Sequence, residues 1–147
     1  HVTANAGDFL GAALPGDAAG MVEGVVLVGG DAGDRVGDRM RRGLIAVHGK
    51  LGALAAARMI GGTILGQHGC GADPGYAMRR GSLILGRGPE HLLATFTDNG
   101  THELPWLRLL ERQLAAQEPP FRLPGRKLRR WTGCASVGGK GEILIAD

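Results

Sequence analysis

The chain has 147 residues, which fits one domain, and 44% of them are hydrophobic while only 4% are aromatic. Glycine accounts for 27 residues, but the hydrophobic content excludes a disordered glycine-rich tract, and the lack of a Gly-X-Y triplet excludes collagen. A formal net charge of +3 with few rings to stack on bases predicts no nucleic-acid binding, and no apolar run is long enough to cross a membrane.

All four methionines recur at intervals of 19 residues, and a glycine follows each of them by three positions. The methionines are Met21, Met40, Met59 and Met78, and the glycines are Gly24, Gly43, Gly62 and Gly81. A fixed period near 20 is typical of a solenoid built from stacked units. Because short β-rich runs follow the glycines, and neither a helical period nor a leucine-rich pattern occurs there, we predict an all-β fold. It is a right-handed parallel β-helix with about 19 residues per rung.

Residues at equal repeat positions stack in such a fold, which predicts where each side chain points. We expect the methionines, and the aliphatic residues five and seven positions after them, to point inward. The glycines should form a corner with positive φ. The sixth position should point outward, yet it is apolar in all four repeats: Leu27, Ala46, Leu65 and Ile84. Because an apolar stripe in water is costly, we predict that the C-terminal segment or another subunit covers it.

Arginine recurs in the second half of the repeat. Three repeat positions carry it twice, in the pairs Arg39 and Arg58, Arg41 and Arg79, and Arg42 and Arg80. Like charges on neighbouring rungs repel each other unless anions lie close by. Two hypotheses follow: an internal ionic network with Asp31, Asp34 and Asp38, or a surface for an acidic partner or a polyanionic ligand.

The repeat fades after Leu85, and different elements are predicted beyond it. The leucine spacing from Pro105 to Gln117 predicts a helix, which we interpret as a cap on the solenoid. The basic stretch Arg122 to Arg130 contains proline and glycine and predicts a surface excursion. Glu142 to Ile145 predicts one last strand.

These elements predict a single β-helix domain over residues 1–147, with rungs in about 1–88 and the cap and tail in 89–147. The chain starts at His1 without a methionine and with the repeat already in progress. We therefore expect it to be the C-terminal part of a longer polypeptide.

The sequence offers weak candidates for chemistry. The run Gly133 to Gly141 resembles a phosphate-binding loop, but Gly141 stands where Ser or Thr would bind Mg²⁺. His68 and Cys70 lack a second ligand pair, and no family pattern supports Cys70 as a nucleophile. Cys70 and Cys134 are interpreted as free thiols in a reducing cytoplasm. We predict no catalytic, cofactor-binding or metal-binding residue in this chain.

The run from Gly30 to Gly43 resembles the β-helix subunit of formylmethanofuran dehydrogenase and, more closely, its counterpart in the bacterial formyltransferase/hydrolase complex. The similarity continues through Gly62-Thr63-Ile64, Met78 to Gly81 and Gly139 to Leu144, and covers most of residues 20–147.

Two alternatives stay open. The repeat alone is also similar to the C-terminal β-helix domain of the glutamate synthase large subunit. An independent β-helix enzyme or binding module, with a groove lined by Arg41, Arg42, Arg79 and Arg80, is the third interpretation.

The resemblance to the formyltransferase/hydrolase complex implies a scaffold subunit of a cytoplasmic one-carbon enzyme complex, with no catalytic residue of its own. Its partners would be an amidohydrolase-like subunit that holds zinc and a formyltransferase-like subunit. The complex would use methanofuran and tetrahydromethanopterin as carriers and release formate, and the chain itself would bind no cofactor. The arginine-rich, lysine-poor composition favours the bacterial complex over the archaeal one, which adds tungsten or molybdenum and iron–sulfur centres.

Overall fold

A computed structural model describes residues 1–118 and 120–146 of the chain. Their strands form one sheet of order β1-β2-β3-β4-β7-β6-β5. The strands are β1 Val25–Val28, β2 Leu44–Val47, β3 Thr63–Gly66, β4 Ser82–Leu85, β5 Thr97–Glu103, β6 Lys127–Gly133 and β7 Gly141–Ile145. Helix α1 spans Leu107–Ala115, and a short 3-10 helix spans Ala135–Val137. None of the described helices is long and apolar enough to span a membrane.

Five of these strands are parallel and follow the sequence repeat. Val25 pairs with Leu44, Leu44 with Thr63, and Thr63 with Ser82, so each rung repeats the previous one. Ser82 then pairs with Glu142, 60 residues later, so β7 is the next strand of the same stack. The predicted parallel β-solenoid with about 19 residues per rung is confirmed, and the predicted last strand is part of it.

The interior contains the side chains that the repeat directs inward. Fully buried residues at these positions are Met40, Met59, Met78, Val28, Ile45, Val47, Ile64, Leu83 and Leu85. Met21 is half-buried on the first rung. Gly66 interrupts the seventh position, and Leu51 occupies the space, since a Cβ on Gly66 would lie 2.8 Å from Leu51 Cδ1. Buried aliphatic columns therefore hold neighbouring rungs together.

The repeated glycines form the predicted corner. Gly24, Gly43, Gly62 and Gly81 have φ values of 92°, 106°, 93° and 111°. A Cβ on Gly62 would lie 3.1 Å from the carbonyl oxygen of Gly43 on the rung before. The prediction of positive φ at these positions is confirmed.

The outward apolar stripe is covered by the C-terminal segment, one of its two predicted covers. Its residues join a buried cluster with Leu107, Leu110, Leu114, Phe121 and Leu128. Helix α1, predicted as an end cap, thus packs against the outer face of the sheet. Strands β6 and β5 extend the sheet beyond β7 at the end of the stack.

The basic stretch predicted as a surface excursion contributes strand β6. Lys127 and Arg129 are exposed, and Leu128 between them is fully buried, as in a strand with one covered face. Arg130 donates to Glu142 on β7 at 2.7 Å. Ion pairs with neighbouring strands explain why a charged segment can lie in the sheet.

Candidate interaction surface

The repeated arginines lie along one edge of the solenoid, beside the column of buried methionines. Arg39 and Arg41 flank the buried Met40 in sequence. The Arg41 N–H donates to the Met21 carbonyl at 2.9 Å, and two rungs later the Arg79 N–H donates to Met59 at the same distance. We call the six residues of this strip the arginine edge: Arg39, Arg41, Arg42, Arg58, Arg79 and Arg80.

One member of the arginine edge takes part in an ionic network. Asp38 is only 3% exposed, and its carboxylate accepts hydrogen bonds from Arg58 Nε at 3.0 Å and Arg58 Nη2 at 2.5 Å. Arg35 Nη1 approaches the same carboxylate at 3.3 Å. The hydrogen bonds from Arg58 to Asp38 raise the pKa of that guanidinium. The buried carboxylate is therefore compensated by cations, as burial of a charge requires.

Asp31 and Asp34 do not join this network, which corrects the prediction. Asp31 Oδ1 accepts the backbone N–H of Lys50 at 2.7 Å, and Asp34 Oδ1 accepts that of Ala53 at 2.8 Å, each on the next rung. Asn5 makes the same contact with the Asp31 N–H at 2.8 Å. The physical reason is that short carboxylates at a corner satisfy backbone donors that no strand pairs.

Four arginines of the edge keep exposed positive charge. Arg41, Arg42, Arg79 and Arg80 are exposed, and none forms an ion pair within 4.0 Å among residues 1–118 and 120–146. Lys140 adds another cation on the next rung, where its N–H donates to the Arg79 carbonyl at 2.7 Å. The ionic network therefore neutralises only part of the edge.

Open depressions lined by both arginines and apolar side chains occur along the edge. Arg39, Arg58 and Arg79 line one of about 310 Å³ together with Ile60 and Val137. Arg41 and Arg42 line another of about 170 Å³ with Val22, which is 52% exposed. A third, of about 400 Å³, joins Arg39 and Arg58 to the N-terminal residues Phe9 and Leu14, which are 57% and 70% exposed. The surface thus combines guanidinium groups with exposed apolar side chains.

The cysteine and histidine candidates for chemistry are buried or contact other groups of the fold. Cys70 is buried in the solenoid core, and burial raises the pKa of its thiol to about 12, which keeps it protonated near neutral pH. His48 stacks on Phe121 with 4.1 Å between ring centroids, and its Nδ1 lies 2.7 Å from Gln67 Oε1. His68 Nδ1 lies 2.6 Å from the His48 carbonyl oxygen. Within the described part of the chain, no three His, Cys, Asp or Glu side chains could hold a metal ion.

The run that resembles a phosphate loop has the wrong local structure for one. After Cys134 it forms a 3-10 helix and then strand β7, not the long helix whose N-terminus holds phosphate. A Cβ on Gly139 would lie 2.1 Å from the Met78 carbonyl oxygen, and one on Gly141 would lie 2.4 Å from Met78 Sδ. These glycines permit close packing on the last methionine rung.

Comparison with solved structures identifies a relative. Over 97% of its length, the chain is similar to a chain of the formyltransferase/hydrolase complex from Methylorubrum extorquens, a crystal structure that contains methylofuran. The sequences are 42% identical, and the TM-score is 0.84. The resemblance to the formyltransferase/hydrolase complex is confirmed. The chain spans about half of that relative, because the match covers 54% of it. No protein-family model and no curated protein matches the sequence.

Some residues of the candidate surface were not predicted from the sequence. Phe9, Leu14 and Val137 lie outside the clear repeats, and nothing in the sequence placed them beside the arginines. Lys140 follows Arg80, the residue at the equal position of the previous rung, by 60 positions and not by 19, because a long insertion separates β4 from β7. The pairing of Ser82 with Glu142 brings Lys140 close to the arginine edge, which the methionine repeat does not predict.

Proposed function

We propose that the chain is the β-solenoid part of the β-helix subunit in a formyltransferase/hydrolase complex, where it acts as a non-catalytic scaffold. The observation that carries this proposal is the 42% identity, at a TM-score of 0.84, to a chain of such a complex. The aspartates of the solenoid also support it, because their hydrogen bonds stabilise the fold. Asp31 and Asp34 bind backbone N–H groups, and Asp38 binds Arg58.

The chemistry in this proposal belongs to other subunits. An amidohydrolase-like subunit with zinc and a formyltransferase-like subunit would carry the formyl group between tetrahydromethanopterin and methanofuran carriers and release formate. The scaffold would hold these two subunits together in the cytoplasm. A rigid stack of rungs suits this role, since each rung is fixed by its neighbours over the length of the solenoid.

Affinity purification of the tagged, full-length protein from its own host tests the proposal. Under mild conditions, mass spectrometry should identify an amidohydrolase-like and a formyltransferase-like subunit in stoichiometric amounts. A protein that elutes alone as a monomer would contradict it. Recovery of one very long flavin and iron–sulfur polypeptide would also contradict it and would favour the glutamate synthase alternative.

A further inference from the structure

We propose that the arginine edge is the docking surface for an acidic partner subunit, whose carboxylates pair with Arg41, Arg42, Arg79 and Arg80. The inference rests on the proposed function, because it takes the occupant to be a subunit of the same complex. Beyond the proposed function, the partner is placed on the arginine edge, and ion pairs between its carboxylates and the arginines provide the recognition.

The exposed cations of the arginine edge lie close together. Arg41 and Arg79 occupy the same position two rungs apart, so their backbones lie about 10 Å from each other. Arg42 and Arg80 follow them directly, and Lys140 continues the strip. In the free chain these cations repel one another. A partner that supplies carboxylates relieves this repulsion on binding.

Among the described residues, exposed cations without an ion pair also occur elsewhere, at Arg87, Arg112, Arg122 and Lys127, but these do not recur at equal repeat positions. The outer face of the sheet is covered by α1 and Phe121. On the corner that carries Asp31, Lys50 Nζ lies 2.6 Å from Glu90. On the arginine edge the nearest acidic group at an equal repeat position is Glu23, one rung before Arg42, and the described contacts give it no ion pair. The stacking of unpaired cations on successive rungs therefore distinguishes the arginine edge from the other surfaces.

The apolar residues between the arginines favour a protein over a small anion or a nucleic acid. Val22 adjoins Arg41 and Arg42, and Val137 adjoins Arg79. Protein interfaces are enriched in arginine and surround apolar contacts with polar groups. A site for a small anion would instead enclose it with donors, and single-stranded nucleic acid would need aromatic rings for stacking.

Charge reversal in the complex tests the proposal. The double variant Arg41→Glu/Arg79→Glu is expressed in the full-length chain in its host, and the retained partners are quantified. We expect retention to fall at least about tenfold at physiological salt, because each reversed charge now repels the partner's carboxylates. The double variant Arg41→Lys/Arg79→Lys should keep most of the retention, since it preserves the charge.

The matched control is Arg87→Glu/Arg122→Glu, which changes the net charge equally at exposed arginines outside the edge. It should retain the partners as wild type does, and all variants should keep the wild-type melting temperature. An edge variant that folds and retains its partners would overturn this inference while the proposed function stands. The inference would also be overturned if the control variant lost its partners to the same extent. A retained component that nuclease treatment releases would overturn it too, because the bound partner would then be a nucleic acid. A wild-type chain that retains no partner would overturn both proposals.

Discussion

At the scale of single residues, the sequence repeat predicts the structure because each repeat position has the same steric requirement on every rung. Gly62 shows this most clearly: its φ is 93°, and a Cβ would press on the Gly43 carbonyl oxygen and on Met40 Cε at 2.9 Å. The same requirement recurs on every rung, so glycine recurs as well. A methionine column and a glycine corner could therefore be predicted from sequence alone.

Gly62→Val should destabilise the solenoid by about 3 kcal/mol or more, because a branched side chain is strained at positive φ and collides with the previous rung. Urea unfolding followed by circular dichroism measures the change. Gly88→Val is the matched control, since a Cβ there meets nothing within 4 Å. If the two variants unfold at the same urea concentration, the corner assignment is wrong.

Met59→Asp should abolish cooperative unfolding, because it places a carboxylate in a fully buried column without a partner. Met59→Leu should cost less than about 1.5 kcal/mol, since volume and polarity are nearly kept. Thermal melts of the two variants provide the comparison. A Met59→Asp protein that melts like wild type would show that the inward direction of the methionines is wrong.

Cys70 should make stability fall at alkaline pH. Burial raises the pKa of its thiol from the ordinary 9.0 to about 12. Its contribution is therefore fully present below pH 9 and is lost as the pH rises toward 12, by on the order of 4 kcal/mol at most. Urea unfolding of wild type and Cys70→Ala between about pH 8 and about pH 11 should show a steeper decline for wild type. Parallel declines would contradict the assignment.

At the scale of elements, the 19-residue repeat predicts the pairing of β1 to β4 and the leucine spacing predicts helix α1, but the pairings of β5, β6 and β7 were not predicted. The leucine spacing predicted helix α1 from Pro105 to Gln117, and the helix spans Leu107–Ala115. Its place on the outer face of the sheet depends on Leu65 and Ile84, which are far away in sequence. The antiparallel pair of β5 and β6 is not predictable from the sequence, because Thr97–Glu103 is exposed throughout and carries no apolar alternation.

Leu114→Ala should lower the free energy of unfolding by about 2–5 kcal/mol and expose part of the outward stripe. Leu114 lies on α1 and is fully buried against the stripe. Binding of a hydrophobic fluorescent dye should increase with the loss of stability. Leu109→Ala on the same helix is the control, since Leu109 is 68% exposed and should change neither property. A stable, dye-free Leu114→Ala protein would mean that α1 does not cover the stripe.

At the scale of the whole molecule, the solenoid presents one covered face, one corner held by aspartates and one arginine edge. The sequence identified the arginines of this edge but left two explanations for them, because spacing alone cannot show which carboxylates reach which cations. In the structure Asp38 binds Arg58, and the other two aspartates bind backbone N–H groups. Exposed charge remains on Arg41, Arg42, Arg79 and Arg80, the residues of the proposed docking surface.

The proposed scaffold role is tested most directly by reconstitution with formyl-methanofuran as substrate. The amidohydrolase-like and formyltransferase-like subunits are mixed with and without the full-length protein, and assembly and formate release are measured. We expect that the protein alone releases no formate and that its addition joins the other subunits into one active complex. Formate release by the protein alone, or full assembly and activity of the other subunits in its absence, would contradict it.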